Sequence, residues 1–347
     1  MKKTLLAAAI PALMVANASA VELYNDGKNS FGIGGHMTIQ ANVSDGDVEV
    51  GGNSPRMNFS WNSDLGNGWA LDSRIEYGFS DITGENSDVL FHRLGYIGVG
   101  HDDYGRVSFG KQWSAYFLMA AHATDQPIYI SSDALHTYGG AGGSHGNLGL
   151  GRANDSIQYA NDFDIAGGNL AFVLQYQGVN GEFDDRASFG LSYGFGDFQV
   201  GYAYSGGDVS FEHGTVDVNT QVASFNYGTY GDGLSLAAAY SWAENVQGYG
   251  IDSDGYEAVI AYGINNLTFA VKHQYLEQDN QFAQGTDAQI IDGAAFNHTF
   301  ATVEWQVAPN FVPFVGYTVE HDLDITDAQG NLITNDNNFA IGARVYF

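Results

Sequence analysis

Hydrophobic and polar residues alternate with a period of two along most of this chain, up to its last residue. In residues 31–43 one phase is largely apolar and the other largely polar, and residues 338–347 repeat the pattern. Because successive side chains of a β-strand point to opposite faces of a sheet, these segments predict strands with one apolar and one polar face. The apolar face meets either a protein core or lipid, and that choice decides the fold.

The first residues are typical of an export signal that is removed from the mature protein. Two lysines precede an apolar stretch at 5–16, which a small-residue cleavage site follows at 18–20. The alternative is an N-terminal membrane anchor, but the apolar stretch is shorter than the roughly 20 residues that a spanning helix needs. We therefore expect a cleaved signal peptide at 1–20 and a single domain at 21–347.

The composition excludes several classes of protein. The chain has no cysteine, so disulfides and thiol chemistry do not contribute, and no motif indicates a cofactor. Removal of the signal peptide would leave ten basic against 40 acidic side chains, a net charge of −30, which argues against nucleic-acid binding. The 46 glycines, 21 tyrosines and 22 phenylalanines suit strands joined by tight turns. A soluble acidic protein is the alternative that composition leaves open.

Sixteen alternating segments can be counted, each near the length of about 9–11 residues that a tilted membrane-crossing strand needs. We predict strands at 31–43, 54–62, 69–79, 91–100, 105–112, 151–160, 169–177, 186–195, 198–204, 219–227, 234–242, 254–262, 267–276, 296–307, 311–320 and 338–347. Short connections that contain Gly, Asn or Asp alternate with long ones. The long connections are 44–53, 80–90, 113–150, 178–185, 205–218, 243–253, 277–295 and 321–337.

This sorting of the connections by length is typical of a barrel across an outer membrane, in which short turns face the periplasm and long loops face outside. A soluble sandwich has no reason to sort its loops in this way. Closure also removes the sheet edges, whose backbone groups lipid cannot solvate. The sequence therefore predicts an all-β fold, a 16-stranded antiparallel transmembrane β-barrel with short periplasmic turns and long extracellular loops.

Aromatic side chains near the ends of the predicted strands support contact of the apolar face with lipid. They include Trp61, Trp69, Tyr77, Phe79, Tyr193, Phe195, Phe198, Tyr204, Tyr240, Trp242, Tyr262 and Trp305. Outer-membrane barrels carry such girdles at both borders of their apolar band. Aromatics of a protein core are the alternative, but the second face of these strands is too polar to be buried.

The third long connection, 113–150, has 38 residues, far more than ordinary connections, and loops of this length are usually functional. It combines an apolar patch at 116–121 with a glycine-rich tail at 139–143. A loop surrounded by water would not need the apolar patch. We predict that this third loop folds into the barrel and narrows the water-filled lumen to a constriction.

Four of the ten cations of the mature chain fall on the polar phase of predicted strands and are expected to face the lumen: Arg56, Arg74, Arg93 and Arg152. Charged side chains screen solutes in a water-filled pore. The alternative is that each arginine pairs with a neighbouring carboxylate and only stabilises the wall. We favour such pairing for Arg74, which lies between Asp72 and Glu76, and a role in selectivity for the other three.

Several motifs, taken together, resemble the general diffusion porins of Gram-negative outer membranes. They are found at 92–96 (HRLGY), 104–111 (YGRVSFGK), 22–27 (ELYNDG) and 151–159 (GRANDSIQY), and in the terminal phenylalanine. The resemblance covers essentially the whole chain after the signal peptide. It implies a homotrimer of sixteen-stranded barrels among the lipids of the cell outer membrane, each barrel a passive water-filled pore.

In the porins that this sequence resembles, arginines on the wall face carboxylates on the inward-folded third loop. Arg56, Arg93 and Arg152 match the arginine positions, and His36 stands where the family often has a lysine. Asp125 resembles the first acidic partner on the loop, with Asp133 nearby. The Pro-Glu-Phe-Gly-Gly tract of the family is missing, because 127–130 reads PIYI, and one expected carboxylate is lost.

Three functions are compatible in principle with an outer-membrane barrel. A general porin would admit small hydrophilic solutes and ions, and we expect it to prefer cations because the chain is so acidic. A sugar-selective channel would need a track of lumen aromatics, for which Tyr129, Phe314 and Tyr346 are the candidates. An outer-membrane hydrolase would need a catalytic triad, which the sequence does not supply.

The remaining motifs for catalysis and metal binding are weak. Residues 142–146 (GGSHG) match the G-x-S-x-G nucleophile motif, but they lie in a glycine-rich loop and not at a strand-to-helix turn. The loop histidines His122, His136 and His145 lack the spacing of a metal site, and we expect them to be exposed. The acidic segments 45–47 and 252–255 do not match a complete calcium loop. We assign no catalytic residue and no metal.

Overall fold

A computed structural model describes residues 21–44, 46–80, 82–84, 89–130, 133–137, 146–280, 293–321 and 337–347. The expected signal peptide lies outside these residues. The strands are β1 Val21–Asn25, β2 Asn29–Ser44, β3 Asp47–Gly52, β4 Arg56–Gly66, β5 Trp69–Phe79, β6 Leu90–His101, β7 Gly105–Trp113, β8 Arg152–Ile165, β9 Gly168–Gln177, β10 Phe183–Phe195, β11 Phe198–Phe211, β12 Gly214–Thr229, β13 Asp232–Glu244, β14 Ile251–Ile264, β15 Leu267–Asn280, β16 Gly293–Trp305, β17 Phe311–Glu320 and β18 Asn338–Tyr346.

These segments form one closed antiparallel barrel of sixteen strands, as the sequence predicts. The ring closes on β2, where β18 pairs up to Tyr346 opposite His36. β1 then continues along the same edge of β2 from Val21 opposite Ile33, so β18 and β1 together fill one strand position. β3 and β4 share the next position on the other edge of β2. Eighteen segments therefore occupy sixteen positions in the barrel.

The last residue completes the closure of the ring. Its backbone N–H donates to the Gly35 carbonyl at 3.1 Å, and its own carbonyl accepts from the Gly35 N–H at 2.8 Å. The chain ends therefore meet at one strand position, and the hydrogen bonds run around the barrel. This arrangement satisfies the backbone groups of strands that would otherwise form free edges.

Each of the sixteen predicted strands overlaps an observed strand, but two predicted long loops are wrong. Residues 44–53 lie mostly in β3. Residues 205–218 lie mostly in β11 and β12, which pair until Phe211 meets Gly214 and leave a two-residue turn. Val209 and Val218 are buried there against apolar side chains of the third loop. The local composition, rich in Gly, Asp and Ser, did not reveal this tertiary packing. β1 and β3 were also not predicted, because each is too short to show a clear alternation.

The two faces of the barrel differ as the alternation predicts. In β14, Tyr256, Ile260 and Tyr262 point outward and are exposed, whereas Glu257 and Val259 on the other phase point inward and are buried. Large apolar side chains are exposed on the outer face of the other strands as well. The apolar face therefore lies outside the barrel, and the protein core is confined to the lumen.

The helical segments that the structure describes both lie in the third loop. α1 spans Ala115–Met119, and a 3-10 turn follows at Ala121–Thr124. Neither helical segment in the described ranges has the length and hydrophobicity of a membrane-spanning helix.

Candidate pore constriction

The third loop leaves the wall at the end of β7 and turns at once into the barrel. The Ser114 hydroxyl caps α1 by accepting a hydrogen bond from the Phe117 N–H at 3.0 Å. The same hydroxyl donates to the Leu150 carbonyl at 2.7 Å, so it ties the start of the loop to its end. α1 packs against β9, β10 and β11. A serine at this position therefore both begins the helix and closes the base of the loop.

An apolar cluster holds the first part of the loop against the wall. Tyr116, Leu135 and Leu148 from the loop are buried with Val209 and Val222 from the wall. Burial of these apolar side chains is the dominant favourable contribution to the packing of the loop, because the apolar patch would otherwise be exposed to water. The inward fold predicted for the third loop is confirmed.

Buried polar groups of the wall bind the middle of the loop. Glu304 on β16 accepts from the Ile128 N–H at 2.6 Å. Glu257 on β14 accepts from the Thr124 hydroxyl at 2.6 Å and from the Ala134 N–H at 3.2 Å. Lys272 on β15 balances the charge of Glu257, with 2.9 Å between Nζ and Oε2. Hydrogen bonds to a charged acceptor are stronger than neutral ones, so these carboxylates fix the path of the loop.

The tip of the loop crosses the lumen to the strands at which the ring closes. The Asn53 side chain donates to the carbonyls of Ile128 and Tyr129, at 3.2 and 3.1 Å, and to the Gln40 side chain at 2.9 Å. The loop thus contacts the inner wall from β9 round to β17 and reaches the β2–β3 edge. At its start, α1 also shares an apolar cluster with Leu94 and Tyr96 of β6. A group of cations lies on the wall from β4 to β8.

Arginines on this part of the wall gather around one carboxylate. Arg74 and Arg93 bind the two oxygens of Glu76, at 2.7 and 2.9 Å, and Glu76 is only 2% exposed. Arg56 interacts electrostatically with the same carboxylate. The pairing that we favoured for Arg74 is present, and Arg93 shares it. In the sequence Glu76 is evident only as a neighbour of Arg74, and no local pattern marks it as the shared partner.

His36 and Arg152 lie at either side of this group of arginines. His36 is 5% exposed, contacts the Thr38 hydroxyl at 3.2 Å, and lies within electrostatic range of Arg56 and Arg93. The Arg152 guanidinium lies 6.0 Å from the centre of the Trp113 ring, at the base of the third loop. The cationic wall therefore runs from Arg56 on β4 to Arg152 on β8, with His36 beside it on β2.

Two further cations, Arg344 and Lys111, belong to this wall and were missed. Arg344 on β18 donates to the Thr38 hydroxyl at 2.7 Å and lies near His36. The alternation in β18 could have placed it inward. Lys111 lies near Arg93 and Arg152, but a register shift between β7 and β8 interrupts the alternation at this point. A period of two cannot place a residue at such a bulge.

The two predicted loop carboxylates lie on opposite arms of the third loop. Asp125 follows the 3-10 turn, and its N–H donates to the His122 carbonyl at 3.1 Å. Asp133 lies on the returning arm, where its N–H donates to the Gln274 side chain at 3.2 Å. Both side chains are partly exposed. Their pairing with the wall arginines across the pore stays a prediction.

Comparison with known proteins decides the family. Residues 4–344 match the model of the Gram-negative porin family. This chain belongs to that family. Its relatives include the porin-like protein L of Photobacterium profundum, 24% identical over the whole of both chains. Outer membrane porin F of Xenorhabdus nematophila is also 24% identical, over 100% of this chain and 98% of its own.

Solved porins share the fold at lower identity. The OmpF of Salmonella typhi in complex with daunomycin superposes with a TM-score of 0.77 at 19% identity, over 94% of this chain and all of that one. The trimer form of Vibrio cholerae OmpT gives 0.68 at 19% identity, over 92% and 100%. An anion-selective porin from Comamonas acidovorans gives 0.67 at 15% identity, over 92% and 100%. The chain is a porin of the general diffusion type and an outer-membrane β-barrel.

The aromatic track that a sugar channel needs is not formed by the three candidate residues. Tyr129 and Phe314 pack together under the tip of the third loop, with ring centres 6.3 Å apart, and are only 8% and 3% exposed. Tyr346 lies edge-on against His36, with ring centres 5.9 Å apart. Two of the three rings therefore serve to hold the loop in this porin, and a sugar cannot slide over them.

The loop histidines do not behave as predicted. His136 is completely buried, with Ser241 and Ser253 hydroxyls 3.1 and 2.8 Å from its ring nitrogens, and His122 is partly buried. The expectation of exposure was wrong for both, because the loop turns inward. His145 and most of the 142–146 motif lie outside the described residues. In the part of the chain that the structure describes, no three His, Asp or Glu side chains are placed to hold a metal ion.

Proposed function

We propose that this porin passes small hydrophilic solutes and ions by passive diffusion and prefers cations over anions. One observation carries the passive diffusion: the third loop packs along one side of the lumen, and a charged wall lies on the other side. A path lined by fixed charges on one side and a polar loop on the other selects by size and charge, without a dedicated ligand site. The buried rings of Tyr129 and Phe314 favour this function over a sugar-selective channel.

The proposed cation preference rests on charges outside the constriction. A cavity of about 800 Å³ lies at the short-turn end of the barrel, and its lining includes six aspartates against one lysine and one arginine. These aspartates are Asp64, Asp72, Asp102, Asp103, Asp162 and Asp164. Exposed charges act over about 8 Å at physiological ionic strength, so an ion that passes this cavity meets a negative field before it meets the arginines. The fold itself does not decide the preference, because an anion-selective porin shares it.

The experiment is the single-channel conductance in a planar bilayer, with the reversal potential measured across a KCl gradient. We expect ohmic steps and a reversal potential of the sign that K⁺ preference gives. The preference should weaken as the salt concentration rises, because screening shortens the reach of the aspartates. Block by one oligosaccharide at low concentration would show a substrate-selective channel instead. A protein that assembles but conducts no ions would refute the proposal.

We propose that the porin is a homotrimer whose outer face contacts outer-membrane lipids. The exposed apolar side chains of the outer face support this, because water would not solvate them well. The Vibrio cholerae porin of the same fold is itself described in a trimer form. Three equal closing steps in a bilayer record, together with the native mass in detergent, test the stoichiometry. A single closing step and the mass of one chain would contradict it.

A further inference from the structure

Four glycines on the inner face of the wall lie directly against the third loop. Their positions are Gly190 on β10, Gly201 on β11, Gly255 on β14 and Gly316 on β17. A methyl group on Gly190 would lie 2.6 Å from the Met119 Cβ, closer than van der Waals contact allows. A methyl group on each of the other three would also overlap the loop: the Met119 carbonyl at Gly201, the Ala134 carbonyl at Gly255 and the Tyr129 ring at Gly316.

Lack of space for a side chain, and not backbone conformation, explains why these four positions are glycine. Glycine is often required where φ is positive, but these four wall glycines do not have φ in the left-handed range. Each is a regular strand residue, and the backbone would accept alanine. A glycine in a strand interior weakens the strand, so its presence marks a place where another part of the chain approaches closely. Here the approaching part is the third loop.

The loop is also hydrogen-bonded next to two of these glycines. Glu257 lies two residues after Gly255 on the same inward face and accepts from the Ala134 N–H. Thr318 lies two residues after Gly316, and its hydroxyl is 2.9 Å from that of Tyr129. Gly255 and Gly316 each permit close contact between the wall and the loop. The next inward side chain on the same strand then forms a hydrogen bond to the loop.

We propose that Gly255 and Gly316 are positioning residues that set the width of the pore. The third loop lies between their strands and the lumen, so its distance from the wall determines how much of the cross-section remains open. Adding a methyl group at either position pushes the loop off the wall and toward the cationic wall opposite. This inference rests on the proposed function, because it concerns the pore through which the protein would conduct.

The test compares Gly255→Ala and Gly316→Ala with Gly51→Ala. Gly51 is a strand glycine of β3 with no positive φ and with nothing within 4 Å of the added methyl group, which makes it a matched control. Normal contact between carbon atoms needs about 3.5–4.0 Å, so we expect the loop to move enough to lower single-channel conductance on the order of 1.5-fold. The uptake of larger neutral solutes into liposomes should slow more than that of small ones. Gly51→Ala should match the unaltered protein in both measurements.

A second substitution separates displacement of the loop from general damage. In Gly316→Ala the clash is with the Tyr129 ring, so Tyr129→Ala in the same chain should bring conductance back to that of Tyr129→Ala alone. In Gly255→Ala the clash is with a main-chain carbonyl, and Tyr129→Ala should not restore it. Migration of unheated and heated protein in detergent gels shows whether each barrel has folded. If Gly255→Ala does not assemble, Gly316→Ala and its rescue decide the question.

The outcomes distinguish this inference from the proposed function. An unaltered protein that conducts no ions refutes the proposed function. An unaltered protein that conducts, with both glycine variants equal to Gly51→Ala, overturns the inference alone. Higher or noisier conductance in the variants would also overturn it, because it would show that the loop detaches and does not move toward the opposite wall.

Discussion

The Nε atom of Arg93 lies 2.9 Å from Oε1 of Glu76, and both side chains are almost fully buried in the wall of the barrel. Arg74 occupies the second oxygen of the same carboxylate at 2.7 Å. One negative charge therefore holds two arginines from neighbouring strands, and Arg56 lies close to it. Glu76 organises the cationic wall of the pore.

Replacing Glu76 by glutamine should make the channel less cation-selective. The variant keeps the shape of the side chain but leaves two arginines without their charged partner, which raises the positive field at the constriction. We also expect a loss of about 1–3 kcal/mol in the free energy of unfolding, because hydrogen bonds to a charged group are lost. The reversal potential in a KCl gradient and thermal unfolding in detergent measure the two effects. A variant with an unchanged reversal potential would show that Glu76 has no influence on ion selection.

Neutralising Arg56, Arg93 and Arg152 together by glutamine should have the opposite effect on selectivity. The three substitutions remove positive charge from the cationic wall, so cation permeability should rise relative to anion permeability without unfolding of the barrel. Arg74 keeps its bond to Glu76 in this variant and limits the loss of stability. The same reversal-potential measurement applies. If the selectivity stays the same, the rest of the lumen sets the field.

His136 should make the packing of the third loop sensitive to acid. Burial lowers the pKa of His136 from 6.5 to about 4. The unfolded chain therefore binds the proton before the folded chain as the pH falls. The contribution of the neutral His136 ring to the free energy of unfolding is complete above about pH 6.5. It is lost as the pH falls from about 6.5 to about 4.

The comparison that isolates this effect uses His136→Asn, which cannot titrate. Between pH 7.5 and pH 4.5 the unaltered porin should lose roughly 1–3 kcal/mol more unfolding free energy than the variant. Urea unfolding in detergent at the two pH values gives the difference. Parallel losses in both proteins would show that His136 is not the titrating group.

The barrel could be predicted from the sequence because its determinants are local. Alternation with a period of two depends only on neighbours, so it placed the sixteen strands and the inward phase of Arg56 and Arg74. It did not place Arg93, because a register shift at that residue puts Leu94 and Tyr96 on the inner face as well. Where the structure departs from strict alternation, the prediction failed. Lys111 lies at a register shift, and the segment 205–218 is extended because it packs against a loop that is far away in sequence.

The constriction was predictable only in part. The length and the apolar patch of the third loop indicated that it turns inward. Its path depends on contacts between residues far apart in sequence, such as Glu304 with Ile128 and Asn53 with Tyr129. No local pattern encodes such pairs. The burial of His136 and the role of Glu76 follow from the same long-range packing, which explains why sequence reasoning missed both.

The most direct test of the pore constriction uses the absence of cysteine from this chain. Asp125→Cys places a single thiol on the third loop, at the point predicted to face the arginines. Single-channel current is recorded before and after addition of a bulky, water-soluble thiol reagent, with the cysteine-free protein as the control. If the path for ions runs between this loop and the cationic wall, the current through the variant falls on modification and the control does not respond. A fully modified variant whose current is unchanged would contradict this location of the constriction.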